Sequence, residues 1–415
     1  MREKWPYILR LVLLFTVDES LAWLPSTGGM TRLPSPKRGA NVPSSSTPGT
    51  TPYNEPPRTR FQAVQSAWRA ALTAGATASH ILLASAQPAV SEAAPAAPRL
   101  SSAQEGLTKI PWKQEGYLSW EYDGHRVNYV DEGDKTKPAL VLIHGFGASV
   151  YHWRYNIPAL VEAGYRVLAL DLLGFGLSDK PLIEYSAEVW RDQVCAFVRE
   201  VVGGTAVVAG NSLGGFTALA AASYAPDTIK GCVLLNGAGR FRDREQEALV
   251  EAKKDTPPRA PFLLAWDQAI KSAGTYIQRT IMRASFYYTK QPARIKQVLT
   301  QVYPDPRNVD DELVESIRVP ALNPNAPEVF QRVIMRTGGP GLTVDDLLEG
   351  FESPLLLLWG ELDPWIRPAA ADKIQSLYPP AKRVSVQAGH CPHDESPEVV
   401  NDALVEWLMS IGYKA

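Results

Sequence analysis

Cysteine is scarce in this chain: Cys195, Cys232 and Cys391 are an odd, widely spaced set of three among 415 residues. Such a set supports neither a disulfide framework nor a zinc site, so reduced thiols and no metal are expected. A charge of one sign is missing as well, with 42 Lys and Arg facing 44 Asp and Glu. That balance gives no electrostatic basis for binding nucleic acid. Long apolar runs are also absent. The stretch from Ile8 to Val17, in "MREKWPYILRLVLLFTV", is broken by Arg10 and is too short to cross a bilayer. Between Trp23 and Leu100 acids nearly vanish, leaving only Glu55 and Glu92. What is present is a composition 45% hydrophobic and 21% charged, that of a soluble globular chain long enough for one large domain or two ordinary ones.

The basic start, the short apolar stretch and the small residues Ser20 and Ala22 predict a signal peptide over residues 1–22. Residues 23–100, rich in Ser, Thr, Pro, Ala and Arg, predict a transit-like, disordered leader. Together they resemble the bipartite presequences of algae with complex plastids, with Trp23 where that pattern usually has Phe. The resemblance implies a plastid location, stromal or thylakoid-associated; a plain secretory signal followed by a linker is the alternative. "AALTAGATASHILLASA", with Ala84 and Ala86 in Ala-x-Ala form, reads either as a thylakoid-transfer signal or as a short helix or flexible leader.

Regular patterning begins near Ile110. "YLSWEY" and "HRVNYVDEG" alternate on either side of Asp123-Gly124, a strong hairpin signal. Six apolar runs of buried-strand type follow: "PALVLIH", "YRVLALD", "TAVVAG", "GCVLLN", "PLLLLWG" and "KRVSVQAG". Helical segments lie between them, and the last one, "PEVVNDALVEWLMSI", has Ser396 as its expected N-cap and Pro397 at its first position. This alternation predicts an α/β fold with a mostly parallel sheet covered by helices on both faces. Residues 240–352 break it with Pro-interrupted, aromatic-rich helical pieces. They are read as a helical cap inserted between two parts of a core, residues 101–239 and 353–415; an ordinary helical domain without a gating role is the alternative.

Gly210-Asn211-Ser212-Leu213-Gly214 is a G-x-S-x-G set between an apolar run and a small-residue helical stretch. By composition the pattern turns up about once in ten chains of this size, so its placement carries the argument. A sharp strand-to-helix turn strains the backbone at Ser212 and leaves no room for side chains two positions away, and the helix N-terminus favours a developing oxyanion. A serine needs a base to take its proton. "VSVQAGHCPHDESP" offers His390 and His393, and His390, directly after the turn at Gly389, is the better placed. Cys391 beside it reads as a small packed residue. The acid that orients the imidazole is expected after another strand. "LLLLWGELDPW" offers Glu361 and Asp363, with Asp363 at the favoured spacing, and the rival position holds Asn236, which cannot carry the charge. Expected oxyanion donors are the backbone N–H groups of Phe146, in "LIHGFGAS", and Leu213. Gly145 allows close approach there and His144 is expected to brace the loop; His152 in "YHWR" reads either as lining the entrance or as packing at a helix start.

The motifs "HGFGAS", "ALDLLGFGLSDKP", "GNSLGG", "LLNGAG", "LWGELDPW" and "AGHCPHDESPE" together resemble the α/β-hydrolase family over about residues 112–412. "GNSLGGF", "VLLNGAGRF" and "AGHCPHDE" are similar to the plastid group that includes pheophytinase and chlorophyll dephytylase. The resemblance implies Ser212 as nucleophile, Asp363 as acid and His390 as base in cleavage of a carboxylic ester, the phytyl ester of a chlorophyll pigment. It implies no cofactor, with peripheral contact to the thylakoid membrane an added expectation. Epoxide hydrolases and dehalogenases of this fold use Asp as nucleophile, against which Ser212 argues. The cap residues Phe262, Leu263, Leu264, Trp266, Tyr276, Phe286, Tyr287 and Tyr288 either line an apolar tunnel or form the cap's own core, with Trp266, Phe286 and Tyr287 taken as substrate contacts. A carboxylesterase or lipase for other esters, and a non-catalytic ligand-binding homologue, stay open as alternatives.

Overall fold

The computed structural model describes residues 107–243, 278–336 and 341–415. The signal and leader segments and the cap residues Phe262, Leu263, Leu264, Trp266 and Tyr276 lie outside the described residues.

Two strands open the described chain, β1 (Leu118–Tyr122) and β2 (His125–Glu132), paired antiparallel across Asp123 and Gly124. Both turn residues have positive φ, 51° and 71°, the geometry that Asp-Gly supplies to a tight hairpin with the twist of its strands. The other strands are β3 (Ala139–Ile143), β4 (Arg166–Leu170), β5 (Ala206–Asn211), β6 (Ile229–Leu235), β7 (Leu355–Gly360) and β8 (Lys382–Val386). All lie in one eight-stranded sheet of order β1-β2-β4-β3-β5-β6-β7-β8, parallel from β4 to β8. A parallel sheet needs crossover helices, which cover both faces and force central strands to be apolar on both sides. Accordingly Val141 and Ile143 join one core cluster and Leu140 and Leu142 the other, as alternate residues must. The run "KRVSV" departs from the buried strand expected of it: only Val386 is buried, because β8 is the sheet's edge and has one neighbour.

The first cluster includes α2 (Ala187–Phe197) and α3 (Leu213–Tyr224), the second α1 (Asn156–Glu162) and α11 (Pro397–Ser410). Helix α3 runs against the sheet on small residues, and Thr217 to Ala222 are all within 1% of full burial. Pro397 occupies the first position of α11 as expected, but the preceding Ser396 makes no side-chain cap bond.

Between β6 and β7 the described residues form helices: α4 (residues 278–289), α5 (Pro292–Val302), α6 (Asp311–Arg318), α7 (Ala326–Arg336) and α8 (Val344–Leu348). Val344, Leu347, Leu348 and Phe351 pack into the first core cluster, so the end of this interval belongs with the sheet. After β7 come α9 (Ala369–Leu377), β8 and the short α10 (Pro392–Glu395) that leads into α11. Among the described residues no helix is long and apolar enough to cross a membrane.

Candidate active site

Strand β5 ends at Asn211 and α3 begins at Leu213, leaving Ser212 alone to make the turn. Its backbone stands at φ 53°, ψ −118°, a conformation that L side chains rarely adopt and that costs about 1–3 kcal/mol. The neighbouring glycines make the turn sterically possible. A Cβ on Gly210 would lie 2.1 Å from the carbonyl oxygen of Gly214, and one on Gly214 would lie 2.2 Å from that of Ile143. The backbone of Ser212 is pinned by Ser212 N–H donating to Leu235 O and by Ser212 O accepting from Ala238 N–H.

The loop after β3 passes over this turn. A Cβ on Gly145 would sit 3.3 Å from the Cβ of Ser212, so glycine is what permits that approach. Among the described residues the N–H groups of Phe146 and Leu213 meet no protein acceptor; Leu213 is the first residue of its helix, where none is available. His144 braces the loop. Its Nδ1 is 2.7 Å from Gly145 O, and its Nε2 accepts from Leu172 N–H at 3.1 Å. That pattern requires a neutral ring protonated on Nδ1, and burial pushes the His144 pKa down accordingly. The loop after β4 is organised by Asp171, fully buried, which accepts from Val150 N–H, Leu177 N–H and Asn128 Nδ2 at 2.7–2.8 Å.

Asp363 and His390 arrive from the ends of β7 and β8. His390 Nδ1 lies 2.7 Å from Asp363 Oδ2, with both side chains almost fully buried. The other oxygen, Oδ1, accepts from the N–H groups of Trp365 and Ile366, and Asn236 Nδ2 donates to Oδ2 at 2.7 Å. Asn236 in turn accepts from Gly360 N–H through Oδ1. Gly360 lets β7 end against the histidine loop, since a Cβ there would fall 1.9 Å from Gly389 O. The ring of Trp365 packs on His390 at 5.0 Å. Asn211, next to the serine, donates from Nδ2 to His390 O at 2.9 Å and so ties the two loops together. Among the described residues no hydrogen bond joins Ser212 Oγ to His390 Nε2, a contact that in unliganded sites often closes only with substrate.

The competing candidates lie elsewhere. Glu361 bonds Arg383 and Ser385 at the sheet edge. His393 is fully buried against Trp153, its ring 4.2 Å away, with neither nitrogen bonded among the described residues; burial holds its pKa well below the usual value. His152 bonds Tyr303 Oη through Nε2, and burial lowers its pKa to about 3. Cys391 is a packed residue whose thiol pKa is pushed well up by burial. Among the described residues no cluster of His, Cys, Asp or Glu could hold a metal.

Above the site, aromatic rings form a continuous wall. Phe175 meets Phe146 at 5.4 Å, Phe146 meets Phe330 of α7 at 5.8 Å, and Phe330 meets Phe286 of α4 at 5.3 Å. Phe286 is 7% exposed, whereas Tyr287 is 48% exposed and touches the wall only at its outer end, edge to face on Phe286 at 6.1 Å. Phe330 gave no signal in the sequence, because only the placement of α7 brings it to Phe146.

Residues 138–397 match the model for the alpha/beta hydrolase fold. The chain belongs to the α/β-hydrolase family. It is 30% identical over 324 residues to the chloroplastic pheophytinase of Arabidopsis thaliana, a match covering 68% of this chain and 64% of that protein. This α/β-hydrolase thus spans about 64% of the pheophytinase's length. It is 27% identical over 317 residues to epoxide hydrolase 3 of Xenopus tropicalis, covering 73% and 80% of the two chains. Among solved structures, the enol-lactonase of Burkholderia xenovorans LB400 superimposes with a TM-score of 0.54 at 19% identity, covering 70% of this chain and all of that one, a likeness of fold.

Proposed function

We propose that this α/β-hydrolase is a serine ester hydrolase acting on a carboxylic ester with a large apolar part, the phytyl ester of chlorophyll or pheophytin, in a plastid. The observation that carries the reading is a strained serine at the strand-to-helix turn, tied through Asn211 to a histidine whose Nδ1 is 2.7 Å from a buried carboxylate. In this reading His390 takes the Ser212 proton as Oγ attacks the ester carbonyl. The oxyanion is held by the N–H groups of Phe146 and Leu213, each such donor being worth about 10²–10³ in rate. His390 then protonates the departing alcohol, and water, deprotonated by the same ring, hydrolyses the acyl-enzyme. Asp363 holds the ring with Nε2 free to act. The protein needs no cofactor for these steps.

The apolar character of the substrate is supported by the Phe146–Phe330–Phe286 wall beside the proposed oxyanion donors. The similarity to a chloroplastic pheophytinase supports the pigment ester and the plastid. Epoxide opening is disfavoured by chemistry: in this fold it uses a carboxylate that forms an ester intermediate, and a serine occupies that position. The test incubates the purified protein and Ser212→Ala with chlorophyll a, pheophytin a and short-chain nitrophenyl esters. Phytol released by the wild type alone is expected. Turnover of short esters without phytol release would return the reading to a general carboxylesterase, and failure of a fluorophosphonate to label Ser212 would remove the enzyme reading altogether.

A further inference from the structure

We propose that the outer face of α4 and its continuation to Lys290 is a docking surface for an anionic lipid bilayer. Helix α4 has two unlike faces. Inward it places Met282, Ser285 and Phe286, each at least 93% buried. Outward, residues four apart share a row, and one such row is Arg279, Arg283 and Tyr287. Beside it, three and four residues apart, lie Ile281, Ala284 and Tyr288, also facing outward. Ile281, Tyr287 and Tyr288 are 54%, 48% and 52% exposed, three large apolar side chains on little more than two turns.

Charge is segregated to the same place. From Arg279 to Pro304 the chain carries five basic residues, Arg279, Arg283, Lys290, Arg294 and Lys296, and no acid, in a protein whose net charge is only −2. Among the described residues Arg279, Arg283 and Lys290 have no carboxylate partner, while Lys296 approaches Asp311 at 3.8 Å. Cations also flank the tyrosines: Lys290 Nζ lies 4.7 Å from the Tyr287 ring, while the guanidinium of Arg294, itself buried, lies 5.5 Å from that of Tyr288 and supports it from below the surface. Tyrosine rings flanked by cations, beside an exposed isoleucine, match the two layers of a bilayer interface, apolar acyl boundary and anionic headgroups. An acidic protein would meet the charge but leave Ile281 and Tyr288 without a counterpart. Phe286 on the inner face continues through Phe330 to Phe146. A lipid surface on the outer face would therefore lie one helix away from the aromatic wall.

The experiment reads binding, not turnover, so its outcome is independent of the proposed ester chemistry. Full-length protein is floated with phosphatidylcholine vesicles with and without phosphatidylglycerol, at low and high salt. The expected result is flotation with phosphatidylglycerol vesicles that weakens as salt screens the charges. Each basic residue near an anionic surface raises partitioning about fivefold, so Arg279→Glu/Arg283→Glu/Lys290→Glu should lower it by about a hundredfold or more. Ile281→Ser/Tyr288→Ser should lower it with the salt dependence kept. Unchanged thermal melting shows that each variant is folded. No flotation of the wild type, equal flotation with pure phosphatidylcholine, or flotation unaffected by both variants would overturn the proposal; the last would place binding in another segment.

Discussion

At the scale of single residues, the site depends on positions where geometry overrides ordinary preference. Ser212 holds φ 53° and Asn236 holds φ 45°, and Asn236 donates a hydrogen bond to Asp363. Replacing Ser212 by glycine removes the Cβ from the strained turn. Strain relief of about 1–3 kcal/mol, less the added freedom of the unfolded chain, should raise stability by about 1 kcal/mol in urea titration, with ester turnover lost by about 10⁴-fold or more. A fall in stability would show that the turn is not strained in solution. Asn236 was legible only as a rival position lacking charge. Its amide in fact fixes both Asp363 and the end of β7, and asparagine is the side chain that tolerates left-handed backbone while donating and accepting. Asn236→Ala should lower kcat about 10–100-fold with KM little changed, since it misplaces the acid without touching substrate; an unchanged kcat would show that the two backbone donors to Asp363 suffice.

Among elements, the histidine loop is clamped by the helical segment above it. His390 N–H donates to Val302 O at the end of α5, and Glu395 accepts from Gly389 N–H at 2.7 Å and from Asp305 N–H at 3.0 Å. One carboxylate thus joins the residue before His390 to the segment beyond α5. Burial raises the Glu395 pKa from 4.5 to about 7. A carboxyl raised in the folded state favours folding fully below its unfolded pKa, and that contribution is lost as pH rises through the folded value. Between pH 4.5 and 7 the wild type should therefore lose on the order of 3 kcal/mol from this group. Glu395→Gln, which cannot ionise, should show a correspondingly flatter stability profile when urea midpoints are compared across that window. Parallel profiles would mean that Glu395 stays ionised when folded. The variant should also lower kcat, because its amide nitrogen faces an N–H donor in one of the two bonds.

Taken as a whole molecule, the fold was legible wherever chemistry is local. The Asp-Gly hairpin, the apolar central strands, the glycines around Ser212 and the acid and histidine after late strands each leave a short pattern. The edge position of β8, the inward place of Phe330 and the partner of Arg154 do not, because they depend on which distant segments the sheet brings together. Arg154 is fully buried behind the site and bonds Asp394 through Nε at 2.8 Å, Asp310 through Nη1 at 2.7 Å and Asn308 O through Nη2 at 2.5 Å. It joins the loop after β3, the histidine loop and the segment before α6 in one contact; Asp394 also accepts from Tyr303 Oη. Burial opposes the charge on Arg154, but Asp394 and Asp310 hold its pKa above the usual value. Arg154→Met leaves the buried Asp394 without its cation and should cost about 3–5 kcal/mol. At about 2–4 °C per kcal/mol for a domain of this size, Tm should fall by roughly 10 °C. Removing both charges, as Arg154→Met/Asp394→Leu, should restore much of that loss, since two buried charges replaced by apolar side chains no longer need each other. If the double variant is as unstable as the sum of the single ones, Arg154 acts through Asn308 and Asp310, and the junction is held by the segment before α6 and not by the histidine loop.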